Sequence, residues 1–512
     1  MIPMLAKVQS VGLVGLEGFP IEIEVDIGAG LPQFSIVGLP DATVRESRDR
    51  VRSALKNTGF RFPAKKITVN LAPADLKKEG AGLDLGIAIG ILVAEALIPQ
   101  EALQAYVFVG ELALDGRIKP IQGALSMAMA IRAPQALLVP QENASQAAVV
   151  EQATVFGVHT LPEVVEFVKG LHPLQPTPHA SGNLHPALPT IEEDFADVVG
   201  QFQAKRALEV AAAGGHNLLM IGPPGSGKTM LAQRLTGILP PMGIQECLEA
   251  SQVHSVAGTL PPHSPLLSAR PFRSPHHTIS GAGLIGGGSF PRPGEVSLAH
   301  HGVLFLDEAL EFHRSLLDSL RQPLENGTVT LTRAQASLTF PARIMLVLAM
   351  NPCPCGYWGD PTHECVCTPH QIRRYRGRLS GPLLDRLDIH IEVPAVPVKD
   401  LSGGSTKGES SDIIRQRVIE ARGRQLTRYQ KDRILNNAQL KPKQITTYCQ
   451  LDPPGKSLLD QSVSRLGLSA RAYGRILRVA RTIADLENAD MIQANHVAEA
   501  IQYRALDRPL SP

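Results

Sequence analysis

A chain of 512 residues, 44% of them hydrophobic, is too long for one core and too apolar for a disordered protein, so it reads as two or three globular domains. Its 50 basic and 48 acidic residues leave a formal charge of +2, which excludes a global positive field as the means of holding nucleic acid and leaves only local clusters. The opening "MIPMLAKVQSVGLVGLEGFP" has no basic leader followed by an apolar core and a cleavage site, so the expectation is a cytoplasmic protein with reduced thiols and no membrane partner.

The first domain is expected over residues 1–170. Its longest apolar stretch, "GLDLGIAIGILVAEALIP" from Gly82 to Pro99, holds Asp84 and Glu95 and is short for a bilayer span, which points to a buried helix. Two segments, "FPAKKITVNLAPADLKKEGAGLDLGIAIGILVA" and "GELALDGRIKPIQGALSMAMAIRAPQALLVP", resemble the Lon-protease-like domain, and the resemblance implies an S5-type α+β fold. Lon proteases use a serine activated by a lysine. Where their pattern has Asp-Gly-Pro-Ser this chain has Glu79-Gly80-Ala81-Gly82, and where the lysine is expected it has Ala124-Leu125-Ser126-Met127. With both halves of the dyad missing, proteolysis is not expected, and the domain reads as a structural or DNA-facing collar.

"LHPLQPTPHASGNLHPALPT" (171–190) is rich in proline and small polar residues without periodicity and reads as a linker. The next domain, 191–397, has the size of one α/β unit. In "HNLLMIGPPGSGKTMLAQRL" an apolar strand, Leu218 to Ile221, runs into Gly222-Pro223-Pro224-Gly225-Ser226-Gly227-Lys228-Thr229 and then a helical pattern, which is the context of a P-loop. Glycines turn backbone N–H groups toward phosphate oxygens at the helix start, Lys228 adds a point charge, and the Thr229 hydroxyl is a ligand for Mg²⁺. ATP with Mg²⁺ is therefore the expected substrate pair. In "HHGVLFLDEALEF" a second strand, Val303 to Leu306, ends in Asp307, expected in the Mg²⁺ shell, and Glu308, expected to polarise the attacking water. A third strand in "RIMLVLAMN" ends at Asn351, which is suited to orienting that water at the carboxyl edge of a parallel sheet. Three strands with these ends look like the AAA+ arrangement, and "DFADVVGQFQAKRALEVAAAGG" (194–215) resembles the segment that borders the adenine.

"GTVTLTRAQASLTF" alternates like two strands about a turn, with Arg333 near the tip. After Asn351 comes an insert, 353–378, with four of the six cysteines in two Cys-x-Cys pairs nine residues apart: Cys353, Cys355, Cys365 and Cys367. Disulfides do not suit a reducing compartment, so structural Zn²⁺ is the favoured account, with redox-active or merely structural thiols as the alternatives. Because Cys-x-Cys is tighter than the usual zinc-knuckle spacing, replacement of one sulfur by His363 or His370 stays open. The insert closes with Arg373, Arg374, Arg376 and Arg378 around Tyr375, a pattern suited to tracking a DNA backbone. A second linker is expected at 398–412 and a helical domain at 413–508, whose early run Arg415, Arg417, Arg422, Arg424, Arg428, Lys431 and Arg433 reads either as a solvated face or as a contact surface.

"RPFRSPHHTISGAGLIGGG", "PRPGEVSLAHHGVLFLDEALEF", "ENGTVTLTRAQASLTFPARIMLVLAMNPCPCG" and "SGPLLDRLD" together resemble the Mg-chelatase-like ComM/YifB family, in family order along the whole chain. The resemblance implies an α/β P-loop AAA+ module with a helical lid, preceded by the S5-type domain. It also implies a homo-hexameric ring in which Arg386 reaches the nucleotide of the neighbouring subunit, and a sensor arginine at Arg471, with Arg475 and Arg478 nearby as rivals. In related rings a hairpin at the position of Arg333 points into the central pore, where an arginine grips phosphates without reading bases. The family is associated with DNA branch migration in natural transformation, so the implied partners are branched or single-stranded DNA and recombination proteins. A chelatase-type subunit that remodels another protein is the alternative. The resemblance assigns no role to Arg270, Arg273, His276 and His277.

Overall fold

The computed structural model describes residues 5–179, 193–261, 264–288, 291–333, 337–361, 363–395, 408–466 and 468–504. The chain forms two compact units: Met1–His185 with Ile244–Leu267, and Pro186–Gly243 with Ser268–Pro512.

The first unit is built on a mixed sheet of β1 (Leu5–Val14), β2 (Glu17–Gly28), β3 (Gln33–Val37), β4 (Lys66–Ala72), β5 (Tyr106–Phe108), β8 (Ala136–Pro140) and β9 (Thr154–Val158). The strand order is β3-β4-β2-β1-β5-β8-β9, and β6 (Glu111–Leu112) pairs with β7 (Ile118–Lys119) outside it. Alternate residues of β2 and β4 are buried, the mark of a sheet with one covered face. The cover is the helix Asp84–Ala94, every residue of which is buried. Gly86 and Gly90, four residues apart on one helical face, allow the close approach: a Cβ on them would fall 2.7 Å from Ile23 Cδ1 and 2.6 Å from Val25 Cγ2. Burial pushes the Asp84 carboxyl up, while Arg50 draws it back with Nε–Oδ2 and Nη2–Oδ1 contacts of 2.6 and 3.0 Å.

The helix Ile244–Ala257 also belongs to this unit, although the serial boundaries expected from composition place it in the central domain. Gln252 Nε2 donates to Leu16 O at 2.8 Å, and the Gly123 amide donates to Ser255 O at 2.9 Å. Of the expected linker 171–190, Thr177 bonds through its amide to Val155 O at 2.7 Å, and residues 180–190 lie outside the described residues.

The second unit holds a five-stranded sheet of β10 (Leu218–Ile221), β11 (Phe272–Arg273), β14 (Val303–Leu306), β17 (Met345–Met350) and β18 (Ile389–Glu392). The order is β11-β14-β17-β10-β18, with every pairing parallel. The three central strands, β10, β14 and β17, are buried throughout, as continuous apolar runs in a doubly covered parallel sheet must be. Two small antiparallel pairs accompany it: β12 (Gly286–Gly287) with β13 (Arg292–Pro293), and β15 (Thr328–Thr332) with β16 (Ser337–Pro341). Helices Ser411–Arg428, Pro442–Tyr448, Pro453–Leu466, Ala470–Leu486 and Ala494–Gln502 follow. Of the expected second linker, residues 398–407 lie outside the described residues, as do 505–508 of the expected helical domain. Among the described residues no helix is long and apolar enough to cross a membrane.

Candidate functional site

Parallel strands bring their carboxyl ends to one edge, and the register fixes which residues meet there. Ile221 lies beside Met350 and Leu306 beside Leu348, so the residues that follow β10, β14 and β17 share that edge. Gly225 and Gly227 take φ of +75° and +87°, values that favour glycine, and nothing lies within 4 Å of where a Gly225 Cβ would be. Pro223 and Pro224 fix φ in the approach to this turn, and Gln201 Nε2 donates to Ser226 O at 3.4 Å from outside it. Lys228 opens the following helix and is largely buried, with Nζ donating to Gly222 O at 2.7 Å, Pro223 O at 2.8 Å and Asn351 Oδ1 at 3.3 Å. Burial lowers its pKa, and the Asp307 and Glu308 carboxylates oppose the shift. The Thr229 hydroxyl donates to Asp307 Oδ2 at 2.6 Å, so the two hard oxygen ligands expected for Mg²⁺ are already adjacent. Open space in front of Gly225, an amine among loop carbonyls and a hydroxyl–carboxylate pair fit a nucleotide triphosphate with its cation.

Glu308 has φ +47° and an exposed side chain, and its amide donates to Asp307 Oδ1 at 2.9 Å. Its carboxylate lies 3.8 Å from His277 Nδ1, and the His277 ring lies 4.0 Å from that of His276. His277 is thus a site neighbour that the sequence offered only as part of an unassigned pattern. The arginines of the same segment bond within the unit: Arg273 forms a two-point pair with Glu295 at 2.6 and 2.7 Å, and Arg270 donates to Pro240 O and His301 O, each at 2.7 Å.

The sulfurs of Cys353, Cys355, Cys365 and Cys367 lie within 4.8 Å of one another, and no histidine belongs to the group among the described residues. Cys353 to Cys355 is 3.3 Å, Cys353 to Cys365 3.7 Å and Cys355 to Cys365 3.6 Å, close to the edge of about 3.8 Å set by four Zn–S bonds in a tetrahedron. None of the four is in a disulfide. The Trp358 amide points at Cys353 Sγ at 3.3 Å and the Cys355 amide at Cys367 Sγ at 3.4 Å. His363 turns to Asp360 and stacks on Tyr357 with ring centres 4.8 Å apart, and His370 is exposed in the first turn of the helix Pro369–Arg376.

The arginines fall into different settings. Arg376 lies over the Trp358 ring at 4.4 Å and donates to Pro352 O at 2.9 Å, and Arg378 donates to Leu310 O at 2.9 Å. Arg373 and Arg374 are exposed. Arg333 is exposed after β15, and residues 334–336 of the turn lie outside the described residues. Arg386 is not gathered with the P-loop side chains; it pairs with Glu325 and donates to Pro382 O at 2.7 Å. Arg471 is exposed, 3.8 Å from Asp385, whereas Arg475 pairs with buried Asp388 and Arg478 is itself largely buried.

Three family models match the chain: magnesium chelatase subunit ChlI over residues 194–401, subunit ChlI of Mg-chelatase over 23–143, and the ChlI carboxyl-terminal model over 408–504. Protein YifB of Salmonella typhimurium is 48% identical over 99% of this chain and 98% of its own length. Competence protein ComM of Haemophilus influenzae is 46% identical, also over 99% of this chain and 98% of its own. Lon protease 2 of Bacillus subtilis is 32% identical over 28% of this chain and 27% of its own. With a parallel α/β sheet, a P-loop edge and near-full-length identity of this order, the chain belongs to the Mg-chelatase-like AAA+ family of ComM and YifB.

Proposed function

We propose that the protein is an ATP-driven DNA motor, working as a homo-hexamer to promote branch migration of recombination intermediates as in natural transformation. The observation that carries the ATPase half is the convergence of Lys228, Thr229, Asp307, Glu308 and Asn351 on one sheet edge. The DNA half draws support from the near-full-length identity to competence protein ComM.

In this reading Lys228 and the loop amides hold the phosphates, and Thr229 with Asp307 holds Mg²⁺, which neutralises developing charge when bound. Glu308 polarises the attacking water and Asn351 orients it. Arg386 acts on the nucleotide of the next subunit, so hydrolysis depends on assembly. Arg471 is the sensor arginine, because Arg475 is paired with buried Asp388 and Arg478 is largely buried, whereas Arg471 is exposed. The helices after Ser411 serve as the AAA+ lid, and the first unit is an S5-type domain without a protease dyad. Arg333, Arg373 and Arg374 contact DNA phosphates, while Arg376 and Arg378 brace the insert. The four-cysteine cluster holds Zn²⁺ as a clip, supported by sulfur spacings that suit a tetrahedral ion. The work takes place in the cytoplasm beside other recombination proteins.

The matching chelatase models favour one second reading, a subunit that spends ATP on remodelling a partner protein. Rates of ATP hydrolysis measured with no DNA and with single-stranded, duplex and branched DNA separate the two. The motor reading expects stimulation, greatest with branched or single-stranded DNA, and a rate indifferent to every DNA favours remodelling.

A further inference from the structure

The cysteine insert and the nucleotide loop meet at one glycine. Gly356 follows Cys355, has φ +90°, and donates its amide to Cys353 O at 3.0 Å, closing a turn around the first cysteine pair. A Cβ on Gly356 would fall 2.6 Å from Cδ and 2.8 Å from Cγ of Pro224, so the turn rests directly on the P-loop proline. The same cysteine pair is tied to the loop from its other end, since Asn351, two residues before Cys353, accepts from Lys228 Nζ at 3.3 Å. The first cysteine pair thus lies between two attachments to the site that receives the phosphates, and Cys365 and Cys367 complete the cluster from further along the insert. Zn²⁺ would bind the four sulfurs as thiolates and tie them to one centre, whereas without it they carry protons and lack that tie, so the conformation of the turn depends on what the sulfurs hold.

We propose that Zn²⁺ bound by Cys353, Cys355, Cys365 and Cys367 sets the affinity of the P-loop for nucleotide by holding the Gly356 turn against Pro224. This rests on the zinc reading above and adds to it a control function: a metal-loaded chain binds ATP well, and a metal-depleted chain binds it poorly although every phosphate-binding residue is intact. The contact point is small and rigid on both sides, a left-handed glycine and a proline ring, so a shift of the turn is transmitted to the loop rather than absorbed.

Three preparations test this: the purified full chain, the chain stripped by a high-affinity chelator, and the stripped chain given Zn²⁺ again. Each is measured for zinc by elemental analysis and for binding of a fluorescent ATP analogue. The expected result is about one zinc per chain, with nucleotide affinity falling about tenfold on stripping, the equivalent of one decade in Kd, and returning with Zn²⁺. Gly356→Ala, which leaves all four sulfurs in place, is expected to keep its zinc and lose affinity by a similar factor. Pro224→Ala removes the ring on which the turn rests and is expected to make affinity insensitive to zinc. Unchanged affinity in both the stripped chain and zinc-loaded Gly356→Ala overturns the coupling while leaving the zinc site standing. A chain that holds no zinc and takes up none overturns the zinc reading itself. Should stripping unfold the chain, Gly356→Ala decides alone: full zinc with wild-type affinity refutes the proposal.

Discussion

The helices Ser411–Arg428 and Pro369–Arg376 are both arginine-rich, and they use their guanidinium groups in opposite ways. In the first, Arg417 pairs with Glu209 and Glu409, Arg424 donates to Asp485 O at 2.7 Å, and Arg428 grips the buried Asp485 carboxylate at 2.6 and 3.1 Å. Arg422 reaches Ala212 O at 2.8 Å and Arg415 reaches Gly237 O at 3.1 Å. In the second, Arg376 braces the insert, and Arg373 and Arg374 are exposed. A run of arginines therefore does not by itself mark a nucleic-acid surface. What decides is whether carboxylates and carbonyls from other segments stand ready to receive the charge.

Arginines directed at a partner should affect function when removed, and those directed inward should affect stability. The largest effect is expected at Arg386. If it works on the neighbouring nucleotide, Arg386→Ala lowers ATP turnover by about a thousandfold, and mixing with Lys228→Ala subunits restores part of it at hybrid interfaces. Near-normal turnover in the single variant places Arg386 with the structural arginines. Next comes Arg428→Ala, which leaves the buried Asp485 with Arg481 as its remaining guanidinium partner. A loss of about 3 kcal/mol is expected in denaturant titration, the lower end for a broken buried pair, and unchanged stability means the pair is dispensable.

A smaller effect is expected of Arg373→Ala combined with Arg374→Ala: melting temperature and DNA-free ATPase stay at wild-type values while DNA affinity falls by about tenfold, one decade in Kd. Loss of stability instead would move these two into the inward class. The smallest is Arg333→Ala, expected to flatten the slope of log K against log salt by about 1 per subunit engaged. An unaltered slope removes the hairpin from the DNA surface.

The parts of the molecule that were legible in the sequence share a physical basis. Leu218–Ile221 and Val303–Leu306 announce themselves as short apolar runs that end in phosphate and cation chemistry, and they are strands over those residues. The Gly82–Pro99 stretch, apolar on all sides, contains a helix buried on all sides. The edge that gathers Gly222, Asp307 and Asn351 follows once those strands are parallel neighbours. What was not legible depends on partners distant in the chain. Arg428 reads as a surface charge until Asp485, 57 residues on, is seen beneath it. His277 gains meaning only from Glu308 at 3.8 Å. The Pro240-Pro241-Met242-Gly243 break before the helix Ile244–Ala257 marks where the helix starts but does not say that it packs with the amino-terminal unit, and the contact of Gly356 with Pro224 joins residues 132 positions apart by backbone shape alone.

The central claim, that ATP hydrolysis at this sheet edge moves DNA branches, is tested most directly on a synthetic three-strand or four-way junction with purified protein and Mg-ATP. The branch point is followed with wild type and with Glu308→Gln, whose amide cannot polarise water although Lys228 and Thr229 still hold nucleotide. The account predicts movement in the wild type that requires hydrolysable ATP and is absent in Glu308→Gln despite retained ATP binding. Hydrolysis by the wild type with no movement on any junction, or equal movement in Glu308→Gln, would contradict it.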